Sequence, residues 1–184
     1  MTKSPIKNSL MASEFIRVYD NVFSETLCSQ LRDSVDEENE RVEKDHKPNF
    51  YQRNIGTDPQ YSGLYQNFRS LGMTYLSDLG YESDILPLKY GFEELRIKKY
   101  EVGDSFDKHI DAADYISAKR WIAFLVYLND DFKGGETRFY NPNRTIKPKR
   151  GSVLIFPPLW THPHAGLPVK KGKKYILTTY FHLL

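Results

Sequence analysis

The sequence has one cysteine, Cys28, among 184 residues, so no internal disulfide can form and the fold must be held by packing and hydrogen bonds. A lone thiol of this kind reads as a small buried residue on a helix face and fits a reducing compartment. No charge of one sign dominates: 26 Lys plus Arg against 24 Asp plus Glu leave a net charge of +2. Total charge therefore gives no reason to expect nucleic acid or a membrane surface as a partner. No segment approaches the roughly 20 apolar residues needed to span a bilayer. The polar start MTKSPIKNSLMASEF lacks an apolar run followed by a small-residue cleavage site. A soluble, cytoplasmic protein is expected. Repeats and low-complexity linkers are also missing, and the length suits a single domain spanning 1–184.

Apolar material is plentiful: hydrophobic residues make up 40% of the chain, with 13 Tyr and 11 Phe, enough for a packed core. Residues 1–93 read as a strand and helical support region. A short strand is predicted at 15–19, then a helix capped by Ser24 with Leu27, Leu31 and Val35 on one face. Asp33, Asp36, Glu37, Glu38, Glu40 and Glu43 crowd its other faces and read as solvated. Asp58-Pro59 predicts the start of a second helix, with Leu64, Phe68, Leu71, Tyr75 and Leu79 in helical spacing up to Gly80.

From residue 94 to 184 the texture changes to short β-rich runs, predicted at 95–100, 105–111, 121–128, 136–140, 152–156 and 174–183. Many short strands after two helices predict a mainly β fold, an antiparallel barrel or jelly roll with the helices packed outside. The run 121–128 is apolar on both faces, as expected if one face lines the interior and the other lies beneath the helices.

His109-Ile110-Asp111 places an imidazole and a carboxylate two positions apart, so on a strand both point to one face and can converge on one ion. Such a pair suits a two-His-one-carboxylate iron site with open coordination positions, the competing reading being a surface His near a surface Asp. A second histidine must come from far along the chain. His162 and His164 both qualify, and spacing alone does not choose between them.

The blocks Tyr100-x-x-Gly103-x-x-Phe106-x-x-His109-x-Asp111, Arg120, Tyr127-Leu128-Asn129, Gly134-Gly135-Glu136-Thr137-x-Phe139, Pro148-x-x-Gly151 and His164-x-Gly166-x-Pro168-Val169-x-x-Gly172-x-Lys174 occur in this order. Together they resemble the prolyl 4-hydroxylase-like branch of the Fe(II)/2-oxoglutarate-dependent oxygenases over roughly half the chain. The resemblance implies a double-stranded β-helix, or jelly roll, as the core. It selects His164 as the distal ligand by its distance from Pro168 and Lys174, giving the metal set His109, Asp111 and His164. His162 falls out of register and becomes a polar residue at the pocket rim, in reach of substrate.

The resemblance further implies that Lys174 pairs with the distal carboxylate of 2-oxoglutarate, as a buried ammonium needs an anion. Tyr100 and Tyr127 match positions near that carboxylate, although each also reads as core packing. Thr178, four beyond Lys174, shares its face. Arg120 matches an arginine near the pocket mouth, where it can touch substrate, and Tyr180 stands on the pocket wall where many relatives carry tryptophan. Gly134-Gly135 reads as a tight turn whose block maintains the fold.

The implied cofactors are Fe(II), 2-oxoglutarate and O2, with ascorbate as an auxiliary reductant, and the implied reaction is hydroxylation of an unactivated C–H bond. Asp111 favours this over halogenation, since related halogenating enzymes carry a small residue in place of the carboxylate. The family name suggests a prolyl residue of a peptide or protein, while a free amino acid or other small molecule is the alternative substrate. A jelly-roll module that binds a metal or ligand without turnover is the rival from another class. Loops 46–63 and 111–119 are candidate lids over the pocket.

Overall fold

The computed structural model describes residues 12–37, 39–42, 49–81 and 89–184. Near the N-terminus a 3-10 turn at Ala12–Phe15 leads into strand β1 (Arg17–Tyr19). Helix α1 (Glu25–Glu37) follows, its first turn capped by Ser24 Oγ, which accepts from the Leu27 amide at 3.2 Å. Leu31, Val35 and Cys28 of α1 are fully buried, as their spacing requires. The acidic face is not wholly solvated, because Asp36 accepts from Lys99 Nζ at 2.8 Å and from the Tyr175 hydroxyl at 2.9 Å. Glu38 and Glu43 lie outside the described residues.

Strands β2 (Glu40–Val42) and β3 (Phe50–Asn54) come next, then helix α2 (Leu64–Asp78). The second helix starts later than the Asp58-Pro59 signal predicts. Asp58 does cap, accepting from the Gln60 amide at 3.0 Å, but it caps a separate 3-10 turn, Pro59–Tyr61. Ser62 and Gly63, both poor helix formers, part that turn from α2, with the Ser62 hydroxyl bonded to the Pro59 carbonyl. Part of the suggested lid at 46–63 is strand: β3 is paired on both edges, to β2 and to the next long strand, which removes the freedom of residues 50–54 to move as a loop. Residues 46–48 of that segment lie outside the described set.

The β-rich part supplies β4 (Tyr90–Phe92), β5 (Arg96–Tyr100), β6 (Phe106–His109), β7 (Arg120–Tyr127), β8 (Lys133–Gly134) and β9 (Thr137–Tyr140). The remaining strands are β10 (Asn143–Ile146), β11 (Val153–Phe156), β12 (His164–Gly166), β13 (Val169–Lys171) and β14 (Lys174–Leu183). The larger sheet has the order β1-β11-β7-β14-β5-β3-β2, with β4 added to β14. The smaller is β10-β9-β12-β6, and β13 pairs β8 separately. All pairings are antiparallel. Among the described residues no helix is long and apolar enough to cross a membrane.

Strand β7 shows why its sequence is apolar throughout. Ile122, Phe124 and Val126 pack with α1 and α2 residues such as Leu31, Val35 and Phe68. Ala123 and Tyr127, on the opposite face, pack with Phe139, Ile146 and Phe156 between the two sheets. Three layers result: helices, larger sheet, smaller sheet, the jelly-roll arrangement with helices outside. The pocket opens between the sheets, where β14, β5 and β7 face β6, β9 and β12.

Candidate functional site

His109 is the last residue of β6 and stands directly opposite His164 of β12 in the ladder, so the two imidazoles share a face with centroids 4.4 Å apart. The predicted strand 105–111 stops short at His109, and Asp111 reaches the same point from just beyond the sheet. Its Oδ1 lies 3.4 Å from His109 Nε2 and its Oδ2 3.4 Å from His164 Nε2. One donor atom from each of the three residues falls within a sphere of mutual distances no longer than 4.8 Å.

Both rings are held in the tautomer a metal needs. His109 Nδ1 lies 2.7 Å from the Asp107 carbonyl and His164 Nδ1 lies 3.1 Å from the His162 carbonyl. A carbonyl only accepts, so each Nδ1 carries the proton and each Nε2 presents its lone pair to the cluster. Burial, opposed by Asp111 and reinforced by His109, lowers the His164 pKa to about 4, which keeps that imidazole neutral. Burial alone would raise the pKa of Asp111, but His164, His109 and Lys98 together hold it well below the usual carboxylate range.

Aromatic and polar neighbours fix this geometry. Phe106 stacks on His109 at 3.7 Å, and Phe156 meets His164 edge-on at 4.8 Å. The Tyr180 hydroxyl donates to Asp111 Oδ1 at 3.0 Å, and Arg120 Nη1 donates to the Asp111 carbonyl at 2.7 Å. Arg120 is also held by Glu93 through two hydrogen bonds of 2.6 and 2.9 Å and lies over the Tyr180 ring at 4.2 Å.

At the other end of the cavity sits Lys174, 2% exposed, its Nζ donating to the Gly135 carbonyl at 2.7 Å. Burial lowers its pKa to about 7, Glu136 opposing and Lys98 adding to the fall. The ammonium lies 5.1 Å from the Tyr100 ring centroid and 6.0 Å from that of Tyr127. Such a group, buried with a single neutral acceptor, is built to receive an anion. The three-residue cluster and this ammonium thus fit a divalent metal and a dicarboxylate in one cavity.

The structure redistributes several expected roles. Tyr100 and Thr178 line the cavity with Lys174. Tyr127 is fully buried, and its hydroxyl pairs with Thr137 Oγ1 at 2.7 Å, so Thr137 is the residue of that pair on the cavity wall. The Gly134-Gly135 block therefore does more than maintain the fold. Both glycines have positive φ, 75° and 69°, and a Cβ on Gly135 would lie 3.1 Å from Lys174 Cδ, so the turn lets its carbonyl meet the lysine. His162 sits off the cavity wall, 3% exposed, beside Thr161 Oγ1 and Phe15, and its carbonyl orients His164. Arg120 lines an adjoining depression with His109, Asp111 and Ile116, near the mouth.

Thr137 and Lys98 are polar wall residues that the sequence does not single out. Thr137 was hidden inside a glycine-turn motif. Lys98 was hidden by its neighbour: a Lys98-Lys99 pair reads as solvated charge, yet on a strand one lysine enters the pocket while the other crosses to Asp36 on α1.

Residues 95–182 match the family model described as the 2OG-Fe(II) oxygenase superfamily. A prolyl 4-hydroxylase-type protein of Acanthamoeba polyphaga mimivirus is 34% identical over 107 residues, covering 48% of this chain and 44% of that protein. Prolyl 4-hydroxylase 13 of Arabidopsis thaliana is 29% identical over 114 residues, covering 47% and 42%. The chain thus spans less than half the length of these curated relatives. In structure it resembles the viral collagen prolyl hydroxylase of Paramecium Bursaria Chlorella virus-1, solved with 2OG, at a TM-score of 0.73, 24% identity and coverage of 96% of this chain and 99% of that one. A Pseudomonas putida prolyl-4-hydroxylase superposes with a TM-score of 0.74 at 18% identity, covering 92% and 93%. A Trichoplax adhaerens prolyl hydroxylase in complex with a hypoxia-inducible-factor peptide gives 0.71 at 18% identity, covering 92% of this chain and 84% of that one. At these identities the structural likeness establishes the jelly-roll fold.

Proposed function

We propose, on the premise that residues 95–182 belong to the 2OG-Fe(II) oxygenase superfamily, that this chain is an Fe(II)- and 2-oxoglutarate-dependent dioxygenase hydroxylating a C–H bond, with a prolyl residue of a peptide as substrate. The observation that carries the reading is the convergence of His109, Asp111 and His164 in the same cavity as the buried ammonium of Lys174. When bound, iron and 2-oxoglutarate supply the oxidising chemistry: one oxygen atom of O2 enters the substrate and the other enters succinate, with release of carbon dioxide.

The protein's part is positioning. His109, Asp111 and His164 take three positions around the ion and leave the others to ligands. Lys174 receives the distal carboxylate of 2-oxoglutarate, flanked by Tyr100, Thr137 and Thr178. Tyr180 and Arg120 restrain Asp111, and Phe106 and Phe156 pack against the ligand rings and fix their orientation. A cytoplasmic setting agrees with ferrous iron and with the free thiol of Cys28.

For the peptide substrate, support comes from the names of the relatives and from the rim. Tyr115, Ile116 and Trp160 are 97%, 78% and 77% exposed, and their loops are tied together by the Ala112 amide donating to the Pro158 carbonyl at 3.0 Å. Ile116 lines the depression that adjoins the cavity, and exposed apolar residues there suit an extended apolar or prolyl peptide. The test is incubation with Fe(II), 2-oxoglutarate and air across a panel of proline peptides and free amino acids, read by mass spectrometry. Succinate formation with one oxygen added to a proline peptide supports the reading; oxygen added to free amino acids alone overturns the peptide assignment.

A further inference from the structure

Lys98 lines the cavity and has no task in the mechanism above. It projects from the same face of β5 as Tyr100 and stands opposite Ile176 of β14, while Tyr100 stands opposite Lys174. Lys98 is therefore one side-chain step from the Lys174 end toward the metal end, about 7 Å along the strand. That step is comparable with the length of a five-carbon diacid.

The niche around its ammonium is aromatic. Nζ lies 5.0 Å from the Phe50 ring centroid and 6.0 Å from that of Phe106, and Phe106 in turn stacks on His109. Among the described residues Lys98 makes no hydrogen bond and no ion pair within 4 Å. Its charge is felt by the groups around it, adding to the depressed pKa values of Asp111, His164 and Lys174. Burial lowers its own pKa to about 8 despite the attraction of Asp111. Two ammonium groups in one small pocket repel each other, and Lys174 has only the neutral Gly135 carbonyl as acceptor while Lys98 has none among the described residues; one dicarboxylate lying between them relieves both conditions.

We propose that Lys98 is a second carboxylate-binding residue, meeting the carboxylate of 2-oxoglutarate next to the keto group while Lys174 holds the distal one. This rests on the reading of 2-oxoglutarate as co-substrate. A carboxylate carried by the primary substrate is the other source of the same chemistry, and the choice of ligands separates the two.

The experiment is anaerobic calorimetric titration of the Mn(II)-loaded full chain with 2-oxoglutarate and with pyruvate, which keeps the keto-acid end and lacks the distal carboxylate. Lys98→Met is expected to weaken both ligands by about tenfold or more, the loss of one charge-assisted contact. Lys174→Met is expected to weaken 2-oxoglutarate and leave pyruvate within about twofold, while Lys98→Arg recovers part of the affinity. Lys98→Gln replaces Lys98→Met if the latter does not fold, as judged by Mn(II) stoichiometry and circular dichroism. The inference is overturned if the neutral Lys98 variant binds 2-oxoglutarate within about twofold of the parent while Lys174→Met loses it, which leaves Lys98 to a substrate carboxylate. A parent that binds no 2-oxoglutarate overturns the co-substrate reading itself.

Discussion

The Tyr180 hydroxyl donates a 3.0 Å hydrogen bond to Asp111 Oδ1, the oxygen that also faces His109 Nε2. Tyr180 thus fixes the rotation of the one carboxylate in the cluster. Tyr180→Phe keeps the buried ring and removes the bond. Metal affinity is expected to fall about tenfold, in the range known for lost outer contacts to metal ligands, with little change in thermal stability. Competition with a fluorescent chelator measures it; unchanged affinity would show that Arg120 alone holds Asp111.

His164 and His162 are separated by one residue and by role. His164→Ala removes a donor atom from the cluster and should abolish stoichiometric metal binding. His162→Ala removes a side chain packed on Phe15 and Thr161 while leaving the carbonyl that orients His164. That variant should retain metal and lose stability by about 1–2 kcal/mol. Metal analysis of the two purified variants decides, and the reverse pattern would move the ligand to His162.

Lys174 gives a pH dependence of fixed sign. In the ligand-free protein its pKa is lowered to about 7, so above that pH the amine is neutral and must take up a proton to meet a carboxylate. Affinity for 2-oxoglutarate should therefore be flat below about pH 7 and fall as pH rises beyond it, by at most about tenfold per unit. Calorimetry in buffers of different ionisation enthalpy should also record proton uptake at pH 8. Affinity that rises with pH would contradict the assignment.

Gly72 is buried in the middle of α2, and a Cβ there would lie 2.3 Å from Phe181 Cε2. Phe181 cannot swing aside, because it is stacked on Phe92 at 4.4 Å and flanked by Tyr90 and Phe124. Alanine would gain about 1 kcal/mol of helix propensity but cost about 1–3 kcal/mol in overpacking, so Gly72→Ala is expected to lower the melting temperature by a few degrees. A rise in melting temperature would mean the contact relaxes freely.

What the sequence made legible follows from periodicity and register. Strand β7 was readable because both its faces are buried, and His109 with Asp111 because flanking motif blocks hold them in place. The short strands β2, β8, β10, β12 and β13 have no period of their own; they exist because a neighbour completes their ladders. The late start of α2 was hidden because Asp58-Pro59 caps a 3-10 turn with the same signal it would give an α-helix. Lys98 was illegible for a different reason: which of two adjacent lysines enters a pocket depends on strand register, and register is a property of the folded sheet.

In the proposed function one cavity holds a ferrous ion on His109, Asp111 and His164 and 2-oxoglutarate on Lys174. Anaerobic addition of Fe(II) and then 2-oxoglutarate, followed by visible absorption, tests this most directly. The expected result is a charge-transfer band that needs both components, is lost in His164→Ala, and requires much higher 2-oxoglutarate in Lys174→Ala. Absence of the band in the parent protein with Fe(II) bound, or its persistence unchanged in His164→Ala, would contradict it.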